Sequence, residues 1–228
     1  MALTRPLLLI GAGGFARETV EAVRALNALE PRWDLLGYLD DDPALTGKSL
    51  AGVEVLGPID LIADHPDAAV VVCVGRPDAY TAKRRICERI ELDDDRYATL
   101  IHPSVALSTS STIGAGSVIL AQVVLTADVR VGRHVAVMPQ TVLTHDVRIG
   151  DWATLASGVR LGGGVQVGAG AYLGSGCCIR EGVSIGDLSL IGMGSVVTRD
   201  VPPERRWFGV PARDQGAAPS VGTTVRGE

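Results

Sequence analysis

Aromatic side chains are scarce in this chain of 228 residues: they make up 4% of it, and Phe15 and Phe208 are the only phenylalanines. A core without rings must be built from Val, Ile, Leu and Ala, which favours narrow, repetitive packing over irregular globular packing. Other absences narrow the function. There is no basic excess, since the formal net charge is −5, and that disfavours nucleic acid as a partner. No apolar run approaches the ~20 residues that span a bilayer, so no membrane association is expected. The stretch from Met1 to Ile10 lacks the apolar core and cleavage site of a signal peptide. The four cysteines, Cys73, Cys87, Cys177 and Cys178, show no C-x-x-C spacing, and no pair among His65, His102, His134 and His145 has metal-ligand spacing. These features predict a reduced, cytoplasmic protein with buried thiols and no metal.

What is present is glycine, at 28 residues, and a globular balance of 46% apolar to 21% charged residues. The length allows one large domain or two small ones. The halves differ in charge: residues 1–100 carry 11 Lys/Arg against 17 Asp/Glu, and residues 101–228 carry 10 against 9. The second half is a repeat. Stepping by six from Ile101 through Leu107, Ile113, Ile119 and onward to Val197 meets seventeen positions, all Ile, Leu or Val. With about three residues in ten aliphatic, chance gives such a run on the order of once in a billion. Four residues after each aliphatic sits a small or β-branched residue, such as Ser117, Val129, Thr141, Ala153 or Cys177. Glycine often follows the aliphatic directly, as in Ile113-Gly114 and Ile149-Gly150. This is the hexapeptide pattern of a left-handed parallel β-helix, in which three hexads make one triangular coil. The aliphatics are expected inside the prism, and the glycines are expected to supply the backbone angles of its turns. The register runs without insertion.

The first half alternates strands and helices. Leu7 to Ile10, Leu35 to Leu39, Val53 to Leu56 and Val70 to Val74 read as strands. Glu18 to Leu29, Ile59 to Ala63 and Tyr80 to Arg89 read as helices, with Val20, Val23 and Leu26 on one face of the first. This order predicts a parallel sheet with a site at the carboxyl ends of its strands. Gly11-Ala12-Gly13-Gly14-Phe15-Ala16-Arg17 forms a Gly-rich turn before a helix, which suits a diphosphate. It also satisfies G-x-G-x-x-A, the dinucleotide pattern. Asp40 and Asp41, at the end of the second strand, suit a ribose or a base edge. The chain therefore divides into an α/β Rossmann-like domain at 1–100, a β-helix at 101–200, a terminal capping loop at 201–213 and a flexible tail at 214–228.

Gly11 to Arg17, Leu39-Asp40-Asp41, Val74-Gly75, Ile101-His102-Pro103-Ser104, the hexads and Gly209-Val210-Pro211-Ala212 together resemble the sialic acid O-acetyltransferase and nucleotide-amino-sugar N-acetyltransferase family. The chain resembles in particular the bacillosamine- and perosamine-pathway members, and the resemblance covers about residues 6 to 213. It implies an acyl-CoA-dependent transferase, with acetyl-CoA as cosubstrate, that forms homotrimers with active sites between subunits. It also implies a nucleotide-sugar in the small domain, held by Gly11, Gly13, Gly14, Phe15, Arg17, Asp40, Asp41 and Gly75. His145, followed by Asp146, is implied as the general base. Gly209, Pro211 and Ala212 would lie beside CoA. The family often carries a second histidine nine residues after the first; here that position is Thr154, which is counted with the CoA-binding residues and leaves the acceptor sugar open.

Spacing adds to the resemblance. One coil is three hexads, so Gly162-Gly163-Gly164 lies above Thr144-His145-Asp146. Three glycines there clear a groove and expose backbone N–H groups to a thioester carbonyl, as in an oxyanion hole. His145 is two residues past Leu143 and points away from the core, where an imidazole can accept a proton near neutral pH. His134, below Trp152 in the stack, is expected in packing or a subunit contact, and His102 in the domain junction. Three alternatives stay open: O-acetylation of a sialic acid, an NAD(P)-binding protein, and a non-catalytic nucleotide-sugar scaffold.

Overall fold

A computed structural model describes residues 4–218. The first strand, β1 (Arg5–Ile10), is apolar and buried from Leu7 to Ile10, where helices cover both sheet faces. It is followed by α1 (Gly14–Leu29), β2 (Trp33–Leu39), β3 (Ser49–Leu50), β4 (Val53–Gly57), a 3₁₀ turn at Ile59–Asp64, β5 (Ala69–Val72) and α2 (Ala82–Ile90). The sheet order is β3-β4-β2-β1-β5, and only the β3–β4 hairpin is antiparallel. The sequence pattern misses β3, which is two residues long and turns back through Ala51 and Gly52 at positive φ. Helix α1 begins four residues earlier than its apolar periodicity indicates. Gly13 takes the extended N-cap conformation, so the Gly-rich segment itself supplies the first helical turn.

Seventeen two-residue strands follow, from β6 (Leu100–Ile101) to β22 (Val196–Val197), each ending on one of the aliphatics of the six-residue repeat. They form three parallel sheets, the faces of a left-handed β-helix. Partners are eighteen residues apart, as in Leu125, Leu143 and Leu161. The repeat aliphatics and the small residues four positions on form one continuous core, except in the first coil, where Leu107 is exposed and Ile101 and Ile113 are only partly buried. Positive φ falls not on the glycine after each aliphatic but two residues later, at Gln122, Asp128, His134, Gln140, Asp146 and Trp152, and at Gly158, Gly164 and Gly176. The glycine after the aliphatic is required by closeness instead. A Cβ on Gly114 would lie 2.6 Å from the backbone of Gly132 in the next coil, and one on Gly150 2.6 Å from Ala169. The expected role of those glycines in the turns is thereby corrected.

The eight-stranded face ends in a hairpin of β23 (Arg205–Gly209) and β24 (Ala212–Ala217). It lays Trp207 against Ile191 and covers the end of the core. The expected flexible tail at 214–228 is corrected for Asp214 to Ala217, which are paired as strand, with Asp214 bound to Arg205 at 2.7 Å. The rest of that stretch, 219–228, lies outside the described residues.

The two domains share a core. Leu100, Val118 and Leu120 of the prism pack with Leu7, Val20 and Val71 of the sheet domain, and Ala98 donates to the Val70 carbonyl. His134 forms the middle of the joint. Its ring meets Tyr97 edge-on at 4.4 Å and lies parallel to Trp152 at 6.4 Å, and it is 2% exposed. Burial, aided by the charges of Arg133 and Lys83, pushes the imidazole down to about 4. The unfolded chain, with an ordinary histidine near 6.5, then binds more protons than the folded one between those values. Stability is therefore lost as pH falls from about 6.5 to 4, by up to about 3 kcal/mol. Urea denaturation at pH 7 and pH 4.5 checks this. In His134→Asn, which removes the titrating ring, the difference between the two pH values shrinks; an unchanged difference would remove His134 as its cause.

Candidate functional site

The Gly-rich turn leaves β1 at Gly11, whose φ is +93° and where a Cβ would lie 2.8 Å from Val74. Only glycine fits both conditions. The Ala12 N–H donates to Asp40 Oδ2 at 2.8 Å, and the other oxygen of Asp40 accepts from the Asp42 N–H. Asp40 thus ties the turn to the end of β2. Gly13 and Gly14 are exposed. Helix α1 has no side-chain cap and no acidic residue in its first turn, so its first N–H groups and the positive end of its dipole face open space. No atom stands within 4 Å of a Cβ placed on Gly13, and the Arg17 guanidinium reaches to 4.0 Å from one on Gly14. Asp41 is placed differently from Asp40. Its carboxylate accepts from Arg89 at 2.5 Å and from the Ile59 N–H at 3.0 Å, and the Arg89 hydrogen bond holds it below the usual carboxylate range. Asp41 is therefore engaged in joining β2, α2 and the 3₁₀ turn.

Phe15 and Gly75 face the prism across a cavity of about 180 Å³, closed on the other side by Met138, Thr154, Tyr172 and Ser175. Thr154 is 4% exposed, and its Oγ1 has no hydrogen-bond partner but lies 3.4 Å from a Cβ placed on Gly75. No charged side chain lines this cavity. Tyr172 and Ser175 also line a second, more apolar cavity of about 430 Å³, with Leu190, Met193, Phe208 and Pro77. Gly209 to Ala212 form the hairpin turn beside Phe208, where Val210 is exposed and Ala212 buried. Gly209 donates its N–H to Ser195. The sequence pattern did not single out Met138, Tyr172, Ser175 or Met193. They occupy ordinary outward positions of the repeat, and the packing of the small domain and of the C-terminal hairpin gives them cavities.

His145 stands at another edge of the prism. Strand β13 (Val142–Leu143), which precedes it, belongs to the six-stranded sheet, whereas Thr154 lies in the eight-stranded one. His145 Nδ1 and Asp146 Oδ2 are 2.8 Å apart, and both side chains are about two-thirds exposed, at 67% and 66%. With Nδ1–H donating to the carboxylate, Nε2 is the basic nitrogen. The eighteen-residue register holds: Gly164 donates to the His145 carbonyl, and a Cβ on Gly163 would lie 2.4 Å from both Cε1 and Nε2 of His145. The imidazole therefore rests on the Cα of Gly163. Among the described residues the Gly163 N–H has no acceptor, whereas the Gly162 and Gly164 N–H groups are both used within the stack. The sequence-derived residues thus fall into two groups within one chain, the Gly turn with Gly75 and Thr154 on one side and His145, Asp146 and Gly163 on another.

Two family models match. The PglD N-terminal domain matches residues 6–102, and the bacterial transferase hexapeptide (six repeats) matches residues 128–163 and 164–199. Over 56 residues the chain is 39% identical to a UDP-N-acetylbacillosamine N-acetyltransferase of Bacillus subtilis, a match that spans 25% of this chain and 24% of that protein. The crystal structure of PerB from Caulobacter crescentus in complex with CoA and GDP-perosamine superposes with a TM-score of 0.80. It is 29% identical, with 92% of this chain and 97% of that one covered. The acetyltransferase domain of PglB from Neisseria gonorrhoeae in complex with acetyl coenzyme A gives a TM-score of 0.79 at 26% identity, covering 93% of this chain and 100% of that one. The matches run through both domains: the chain joins a PglD N-terminal domain to the hexapeptide repeats of bacterial transferases, the arrangement found in these sugar N-acetyltransferases.

Proposed function

We propose that the protein transfers the acyl group of acetyl-CoA, or of another acyl-CoA, to the amino group of a nucleotide-linked amino sugar. The observation that carries this reading is the imidazole of His145, oriented by Asp146 and resting on Gly163 beside an N–H with no acceptor. His145 Nε2 takes the proton from the acceptor nitrogen as that nitrogen bonds to the thioester carbonyl carbon. The Gly163 N–H donates to the oxyanion that develops. The carbon–sulfur bond then breaks, and CoA leaves as a thiolate. The nucleotide-sugar diphosphate is assigned to the N-terminus of α1 at Gly13 and Gly14, with Arg17 beside it and Asp40 holding the turn. The sugar is assigned to the uncharged cavity of Phe15, Gly75 and Thr154, and the pantetheine arm to the apolar cavity bordered by Phe208 and the Gly209–Ala212 turn. This places Thr154 at the sugar end of the CoA path. The lack of a basic side chain around the sugar cavity favours an amino sugar without a carboxylate over a sialic acid, whose carboxylate would lie there unpaired.

The separation of His145 from these cavities within one chain supports a homotrimer in which the histidine of one subunit completes the cavity of the next. The free thiols of all four cysteines suit the reducing cytoplasm, where acyl-CoA is available. No described helix is long and apolar enough to cross a membrane.

Replacing His145 by Ala lowers turnover by about 10²–10⁴-fold while leaving the affinity for acetyl-CoA and nucleotide-sugar, read by equilibrium titration, within a few-fold. Equal turnover would remove His145 from the mechanism. In Gly163→Ala the added methyl displaces the imidazole, and turnover falls on the order of 10²-fold with little change in melting temperature. Mixing inactive His145→Ala with a variant inactive through Gly13→Glu restores part of the activity if sites lie between subunits. Mixed oligomers without activity would place each site within one chain.

A further inference from the structure

Helix α2 carries a lysine on its buried face. Lys83 is 1% exposed and shares that face with Ile86, Cys87 and Ile90. Its Nζ donates to the His134 carbonyl of the prism at 2.9 Å and stands 6.0 Å from the centre of the Phe15 ring. Among the described residues it makes no ion pair. The titratable groups that face it are the Cys73 thiol at the end of β5, the Cys87 thiol on α2 and the His134 ring on the prism. Burial pushes the two thiols up, to about 12 and about 11, and pushes His134 down to about 4, so all three are neutral near pH 7 and none is an anion. An unpaired ammonium in such a place costs stability that a methionine of similar shape would not. Phe15, the ring beneath the ammonium, is the second residue of α1, and the helix N-terminus there is where the diphosphate is assigned.

We propose that Lys83 is a positioning residue of the nucleotide-sugar site: its ammonium, held between the His134 carbonyl and the Phe15 ring, fixes the Gly-rich turn against the prism and supplies the buried positive charge that the ligand's diphosphate answers. The inference rests on the assignment of that turn to the nucleotide-sugar. It explains why the charge is unpaired in the protein alone, and it couples the ligand to the joint between the domains. Burial lowers Lys83 to about 8, so the charge is present at neutral pH and is lost above it. A bound diphosphate opposes that loss, and by linkage the ligand binds more weakly as pH rises through this range.

The test is equilibrium titration of the full-length protein with UDP, dTDP and GDP between pH 7 and pH 9.5. Above pH 7 the ionisation of the phosphates changes little, since their second pKa is about 6. For charges about 10 Å apart at an effective dielectric constant of about 20, loss of the ammonium weakens binding roughly ten- to twenty-fold. The wild-type protein is expected to lose affinity to this extent for the nucleotide it prefers. Lys83→Arg, charged throughout, loses only the roughly two-fold affinity that ionisation of the nucleobase N–H removes near pH 9.5, and Lys83→Met binds weakly at every pH. In both variants the KM for acetyl-CoA stays within about two-fold of the wild type, which reports an intact prism. A purely structural role predicts a loss in Lys83→Met with the wild-type pH dependence retained in Lys83→Arg, and that result overturns the proposal. Affinity that is level with pH in the wild type overturns it as well. Failure of all three nucleotides to bind the wild type would instead remove the assignment of the Gly-rich turn, whatever Lys83 does.

Discussion

The eighteen-residue coil is the constraint on which the rest of the structure depends. Each turn of the prism lays an aliphatic on the aliphatic of the coil before it, so any residue has a fixed neighbour eighteen positions away. A coil spacing this close leaves no room for a Cβ at the glycines after the aliphatics. An insertion that did not loop out at a corner would shift every later position to another face. The geometry around His145 follows from that register. The imidazole rests on Gly163 because a glycine occurs one coil later, and the same coil spacing uses the N–H groups of Gly162 and Gly164 while leaving that of Gly163 free. The arrangement of His145 on Gly163 is thus inherited from the repeat rather than built by a separate loop.

The small domain packs directly onto one face of this prism. Its sheet shares a core with the first coils, the Tyr80 hydroxyl donates to the Leu188 carbonyl, Arg133 pairs with Asp94, and Lys83 reaches the His134 carbonyl. The joint contains polar groups that are costly to bury, notably Lys83 and His134. Their cost is offset by apolar packing on either side and by the stacking of His134 between Tyr97 and Trp152. In return the Gly-rich turn is held at a set height on the prism, facing Thr154 and Tyr172 across a cavity about as large as a sugar ring.

Much of this was legible in the residues alone. The step of six located all seventeen prism strands, because each aliphatic must face one axis. The stacking of Gly163 on His145 followed from counting eighteen. What escaped the sequence depends on partners far apart in the chain. Asp41 reads as a ribose ligand by its place after β2, but Arg89, forty-eight residues on, takes its carboxylate. Asp214 to Ala217 read as loose because they are polar, yet they pair with β23 and cap the prism. The start of α1 was placed late because Gly13 and Gly14 break the apolar period, although an unoccupied helix N-terminus is what that segment provides. Lys83 did carry a signal, a charged residue on the face of Ile86, Cys87 and Ile90, but a short helix rich in arginine obscures it.

The most direct measurement of the central claim is to follow the acyl carbon itself. Acetyl-CoA labelled at its carbonyl carbon is incubated with the wild-type protein and with UDP-, dTDP- and GDP-linked amino sugars, and the products are read by carbon NMR. N-acyl transfer predicts that one nucleotide series yields a labelled amide on the sugar nitrogen, with stoichiometric release of CoA. A labelled ester on a sugar hydroxyl, or label that stays on CoA with every acceptor while the nucleotides bind, would contradict it.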